Sequence, residues 1–520
     1  MLLGSTLSLT FPPHSLSYLI FLIMTIFILG LSLLNNQSNL LTTKFSFWYG
    51  YFFYLGSVIA FIGYWFSYYF RLQLNCSYFM SYALTAVICL YTSLYIGVIC
   101  YIYAKLKTKS NFFNLVIFFP SLWVLTELIR GQFFPRSWYA LGYTQVDNPV
   151  FHGYFPLLGV YFVSWLVVAI SGWFAYCCNE LLNILNNRES FKPFRVLSRY
   201  IAVIILSIVG FIAISMLLAQ INYTKKYGKP ITITLLQPSI FSSKNYNINT
   251  LHELENISEQ LIKQSNTDLI VLPETVFGTY YKNLTEGYLD AINEYIEQHN
   301  QTLIFSTPLR GNNNVHQTGI VISNQLESPI YIKHHLVPFG EYNPIKGTFL
   351  ELFISSFSNQ ISSNVAGNKH QEPTTILGQR FAFNICYENT VNDYVASNAK
   401  SATILLNQSD LSWYGDTNMK DAFLQFSQGR ALENQRYFLQ DGNTGDTAII
   451  NPHGKIEQRI PAFIVGKLIA QIQGYSGITP FQYIGNVPIW LFCLGVLCLT
   501  FIIIVRTIVK TKISPFIERN

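Results

Sequence analysis

The sequence predicts a polytopic α-helical membrane bundle joined to an extracytoplasmic α/β domain. Three observations predict it. Hydrophobic residues make up 51% of the 520 and charged residues only 12%, where a globular chain in water carries about a quarter charged. Apolar runs long enough to span a bilayer cluster before residue 220 and again after 483. Between them, from about 221 to 482, a polar stretch alternates short β-rich runs with helical spacing, the pattern of an α/β domain. The expected boundaries are 1–219 for the bundle, 220–482 for the α/β domain, and 483–520 for a last span and its tail.

The first residues, LLGSTLSLTFPP, are apolar but short, and read as a first helix paired with the second. Spans follow at 17–34, 46–66, 80–104, 112–129, 153–177, 200–219 and 484–505, each near the roughly 20 apolar residues that a crossing requires. That makes about eight spans. Lys105, Lys107 and Lys109 follow one span, Arg188, Lys192, Arg195 and Arg199 precede another, and Arg506, Lys510, Lys512 and Arg519 lie in the tail. With eight spans these basic clusters share a side, which the positive-inside rule makes cytoplasmic. The polar stretch then lies outside. No basic region precedes the first apolar run, so no signal peptide is expected.

In the polar stretch, residues 231–236, 268–273, 301–306, 318–323, 381–386, 402–407 and 447–451 read as strands, and 250–265, 285–299 and 419–436 as helices. A net charge of +6 with no basic tract argues against a nucleic-acid partner. Nine histidines without ligand spacing argue against a metal, and no cofactor is expected. Of eight cysteines only Cys386 falls in the polar stretch, so it has no partner there for a disulfide.

Three strands end in chemistry-bearing residues: Glu274 after DLIVLP, Lys333 after PIYI, and Cys386 after FAFNI. Ligand sites in α/β sheets collect beyond the carboxyl ends of strands. Singly, each has a plain structural reading: a solvated loop acid, a loop lysine, a buried thiol. Together they form a working set. A thiol needs activation, a carboxylate takes its proton, and an ammonium stabilises first the thiolate and then an oxyanion. Backbone N–H groups after Cys386 would complete the oxyanion hole. Such a set suits acyl transfer through a thioester.

VLPETVFG (271–278), YIKHHLVPFGEY (331–342), NICYEN (384–389) and LNQSDLSWYGD (406–416) resemble the motif series of the nitrilase superfamily. Its members fold as an αββα sandwich and use Glu, Lys and Cys. HLVPFGE between membrane spans looks like the bacterial apolipoprotein N-acyltransferase family within it. RALENQRYFLQDGNTGDTAIINPHGKI (430–456), GITPFQYIGN (477–486), WVLTELIRG (123–131) and LGYTQ (141–145) continue the pattern.

The resemblance implies that Glu274 is the general base, Lys333 the charge-stabilising lysine and Cys386 the nucleophile. It implies Glu341 as a second acid, and Tyr387 and Glu388 as shapers of the nucleophile turn. It implies a ping-pong reaction at the inner membrane. A phospholipid acyl donor loads Cys386 as a thioester, and the α-amine of a diacylglyceryl-modified apolipoprotein takes the chain. Two departures stand out. The family's tryptophan after the domain's first strand has Tyr246 as its nearest match. The loop after Arg130 reads GQFFPRSWYALGY, with Arg136 where the family runs Gly-aromatic-Pro-Trp and Trp138 as the counterpart.

The stretch 346–362, with Phe349, Leu350, Phe353 and Phe357, reads as a lipid-facing arm or as an ordinary amphipathic helix. Trp413 and Tyr414 border the pocket or pack in the core. Glu127 and Arg130 are spaced to pair on one helix face. A membrane-tethered nitrilase-type amide hydrolase would share the same three residues and use water in its second half; HLVPFGE and the membrane frame count against it. A transporter or scaffold would be marked by the loss of one of the three, and all three are present.

Overall fold

The structure, a computed structural model, describes residues 1–35, 40–73, 75–132, 138–186, 193–240, 248–274, 276–310, 316–326, 328–344, 346–348 and 363–517. By internal contacts the chain divides into two units. One comprises Met1–Tyr64, Thr85–Ile221 and Asn486–Asn520, the other Trp65–Leu84 and Asn222–Gly485.

Among the described residues, six helices are long and apolar enough to cross a membrane: Leu40–Leu72, Tyr78–Leu106, Phe113–Gln132, Phe155–Ile184, Ile201–Ala219 and Val487–Val509. These six match six of the expected spans, and the first two apolar runs form shorter helices. The second apolar run forms Leu19–Leu34, only 16 residues; a helix of that length rises about 24 Å, short of a hydrocarbon core of about 30 Å. The first run gives a five-residue helix, Leu2–Thr6, and a single 3₁₀ turn, Leu7–Thr10. Proline, with no N–H to donate, ends it at Pro12-Pro13. Glu127 and Arg130 are both buried but do not pair. The Glu127 carboxylate accepts from Trp123 Nε1 and the Leu141 N–H, at 2.9 and 3.0 Å, while Arg130 donates to the Tyr139 carbonyl at 3.0 Å and to the Tyr54 hydroxyl.

Among its described residues the second unit carries twelve strands in two six-stranded sheets. In the first sheet, β1 (Thr224–Gln237), β2 (Leu269–Val271) and β3 (Thr302–Arg310) run parallel at the centre. Its order is β12-β1-β2-β3-β4-β5, with β4 (His316–Ile322), β5 (Tyr331–Ile332) and β12 (Gly466–Gly477) antiparallel to their neighbours. In the second, β7 (Gln379–Ile385), β8 (Ile404–Ser409) and β9 (Phe438–Gly442) form the parallel centre. The order there is β11-β10-β9-β8-β7-β6, with β6 (Thr374–Ile376), β10 (Thr447–Ile450) and β11 (Ile456–Ile460) antiparallel.

Side chains alternate across each strand. On the first sheet Leu236, Ile270, Leu272, Leu303 and Phe305 pack with Leu254, Ile262, Ile292 and Ile296 of the helices Ile248–Lys263 and Tyr288–Gln298. On the second, Ala382, Leu405, Phe438 and Ile450 pack with Val395, Leu424 and Ala431 of the helices Asn392–Asn398 and Met419–Asn434. The remaining faces turn inward, and β1 contacts β7, β9 and β10 across the interior. All seven expected strands and all three expected helices form.

Candidate active site

Strands of both sheets end in loops that carry polar groups. β2 runs into Leu272, Pro273 and Glu274; β5 runs into Lys333; β7 runs into Cys386. Glu274 is buried, and its Oε1 lies 3.0 Å from Lys333 Nζ. Its other oxygen accepts the N–H of Asp410, the residue after β8, at 2.9 Å. Lys333 is 1% exposed, and its ammonium also reaches Glu341 Oε1 at 2.7 Å. Glu341 Oε2 accepts the Val337 N–H at 2.7 Å, which closes the PFGE turn on the lysine.

Cys386 opens a 3₁₀ turn, Cys386–Thr390, with φ of 50°. A non-glycine residue in the left-handed region is uncommon, and such strain gathers at functional sites. The turn lifts the thiol off the strand into the electrostatic field of Glu274, Lys333 and Glu341. The Cys386 carbonyl is held by Asn407 Nδ2 at 3.1 Å. Burial pushes the thiol well above its ordinary value; Glu274 and Glu341 push it further, and Lys333 draws it back. Burial works against the Lys333 ammonium, but the two carboxylates outweigh it and hold the lysine charged. Burial raises the Glu341 carboxyl, with Lys333 opposing and Glu274 adding to the rise.

Glu388 has a different environment. It is fully buried and accepts four hydrogen bonds. Oε2 takes the Ile385 N–H at 2.7 Å and the Tyr331 hydroxyl at 2.6 Å. Oε1 takes the N–H groups of His334 and His335, at 2.8 and 2.9 Å. One carboxylate thus binds the residue before Cys386 and the two residues after Lys333. Burial raises its pKa, against the pull of these donors.

Tyr387 is buried in the nucleophile turn, and its carbonyl accepts the Thr390 hydroxyl at 2.8 Å. Tyr414 is buried in the electrostatic neighbourhood of Cys386 and Tyr387. Its ring stacks on Tyr69 at 5.7 Å and meets Trp65 edge-on at 5.4 Å. Trp413, beside it, is half-buried. Tyr246, Phe349 and Phe357 lie outside the described residues, as do Leu350 and Phe353 and all of the expected arm beyond residue 348. Sequence reasoning missed three contributors: the Asp410 backbone, Tyr331, and the Trp65–Tyr69 ring pair. The first has no side-chain signal, and the other two read as ordinary apolar residues.

The family model for carbon-nitrogen hydrolases matches residues 232–479, and the model for the apolipoprotein N-acyltransferase N-terminal domain matches residues 3–173. With the strand-end cluster above, these define a membrane-spanning member of the nitrilase superfamily. The apolipoprotein N-acyltransferase of Nitrosomonas europaea is 32% identical over 375 residues, covering 70% of this chain and 70% of that one. That of Neisseria meningitidis serogroup B is 30% identical, covering 82% and 80%, and that of Coxiella burnetii 31% identical, covering 74% and 76%. The chain belongs to the apolipoprotein N-acyltransferase family. It is an acyltransferase of the inner membrane, multi-pass, with its α/β domain on the extracytoplasmic side.

Proposed function

We propose that Cys386 carries the acyl chain between a membrane phospholipid and the α-amine of a diacylglyceryl-modified apolipoprotein, with Glu274 as base and Lys333 as oxyanion stabiliser. The observation that carries this reading is the single buried cluster of thiol, ammonium and two carboxylates at the strand ends. In the first half, Glu274 takes the thiol proton as sulfur attacks the ester carbonyl. Lys333 and the Tyr387 N–H receive the oxyanion. The carbon–oxygen bond breaks, the proton passes from Glu274 to the departing alkoxide, and a lysophospholipid leaves. In the second half the amine attacks the thioester, Glu274 accepts its proton, and the thiolate departs and is reprotonated. Thioester to amide is downhill, so the second half draws the first forward.

The domain reads as an αββα sandwich in which each sheet delivers part of the set: Glu274 and Lys333 from the first, Cys386 from the second. Glu341 fixes the lysine, and Tyr414 walls the thiol. Intact-mass spectrometry of the full chain with phospholipid tests the first half: an acyl-sized gain is expected, and Cys386→Ala abolishes it. Adding a labelled diacylated lipopeptide tests the second. Free fatty acid without N-acyl peptide would overturn the transfer reading in favour of a hydrolase.

A further inference from the structure

Asp441 is a buried carboxylate that the mechanism does not use. It lies on β9, is fully buried, and neither of its oxygens has a hydrogen-bond partner. Among the described residues no charged group faces it. β8 offers Gln408, β10 carries Thr447, whose hydroxyl is bonded to the Gly442 carbonyl, and burial is the one influence on the carboxyl, with no charge acting on it. An isolated buried anion is so costly that such a group neutralises instead. Burial alone holds this carboxyl well above the usual carboxylate range.

A neutral carboxylic acid is a donor and needs an acceptor. Gln408 is in register with Asp441 on the neighbouring parallel strand, so the two side chains share a face. Gln408 Oε1 is also buried and without a partner. The orientation of its amide follows from its other contact: Nε2 donates to the Leu272 carbonyl at 2.5 Å. Two acceptors in register are thus left facing the same interior, and one proton would make them partners. Leu272 stands two residues before Glu274, just past the end of β2.

We propose that Asp441 is kept as a neutral acid that donates its proton to Gln408 Oε1, and so acts as a positioning residue for Glu274 through the Leu272 carbonyl. The positioning role rests on the reading of Glu274 as base; the protonation state does not. The net strength of such a bond sets the expected effect at about five- to tenfold in rate.

Infrared difference spectroscopy on the full-length protein at neutral pH tests the proton directly. A carboxylic-acid carbonyl band is expected in the wild type and absent from Asp441→Asn, and Gln408→Leu should move it to the frequency of an acid without an acceptor. No band separating wild type from Asp441→Asn would overturn the proposal, whatever the protein's activity. Acylation of Cys386 tests the positioning. Asp441→Leu leaves Gln408 without its donor and should slow acylation about five- to tenfold at unchanged KM for phospholipid. Asp441→Asn, whose amide N–H reaches the same oxygen, should restore the rate. Equal rates in all three proteins, or an Asn variant as slow as the Leu variant, would remove the positioning role. Should Asp441→Leu fail to fold, the infrared comparison of wild type with Asp441→Asn still decides the protonation.

Discussion

Glu274 and Glu388 are both buried acids in the neighbourhood of Cys386, and their surroundings divide their work. Glu274 meets an ammonium and a thiol, with one backbone N–H to steady it. Glu388 meets four donors that never give up a proton at working pH: three peptide N–H groups and a tyrosine. A carboxylate among titratable neighbours can exchange protons. A carboxylate saturated by dipoles can only hold things in place, and Glu388 holds the Lys333 loop to the Cys386 turn. The contrast suggests a general distinction: what a buried acid touches, rather than how deeply it is buried, separates chemistry from scaffolding.

The charged side of the site is the more sensitive of the two. Lys333→Met leaves Glu274 and Glu341 facing each other without a cation. It should slow acylation of Cys386 about a thousandfold, measured by single-turnover mass spectrometry. Glu274→Gln should cost about a hundredfold or more in the same assay with little change in unfolding temperature. Glu388→Gln should lose both, because its amide turns N–H donors toward N–H donors. About 1–3 kcal/mol of stability should go with each group left unpaired, alongside roughly tenfold in rate. If Glu388→Gln lost rate alone, this division of labour between the two acids would fail.

A smaller effect comes from pH. The folded protein holds the Cys386 thiol, by burial first and Glu274 next, above its ordinary value of 9.0. The unfolded chain therefore releases that proton earlier. The neutral thiol contributes stability that is fully present below the ordinary value and lost as pH rises through the folded one. Unfolding temperature should thus fall above pH 9 more steeply in wild type than in Cys386→Ser. The least effect is expected from Tyr331→Phe, which removes one of four donors to Glu388 and should cost about 1 kcal/mol in thermal or denaturant unfolding.

The parts of this site that were legible in sequence are those marked by contrast. Glu274, Lys333 and Cys386 each interrupt an apolar strand, so alternation and its end point reveal them. β9 was not legible, because Gln440 and Asp441 are polar and buried in the middle of FLQDG, which erases the pattern that marks a half-buried strand. The left-handed backbone of Cys386 is equally silent, since no glycine announces it. In the membrane region, apolar composition revealed the long helices but not the lengths of the first two. Composition registers how oily a run is, and proline placement and the packing of Ile20, Phe27 and Leu31 in the interior decide where it stops.

The long pairing of β1 with β12 has a consequence for how such a chain is assembled. The pairing begins at Thr224 opposite Gly477, so the polypeptide enters and leaves this domain through adjacent doors. A folded body whose two ends meet can be spliced between two helices like a bead on a loop, without prying its hosts apart.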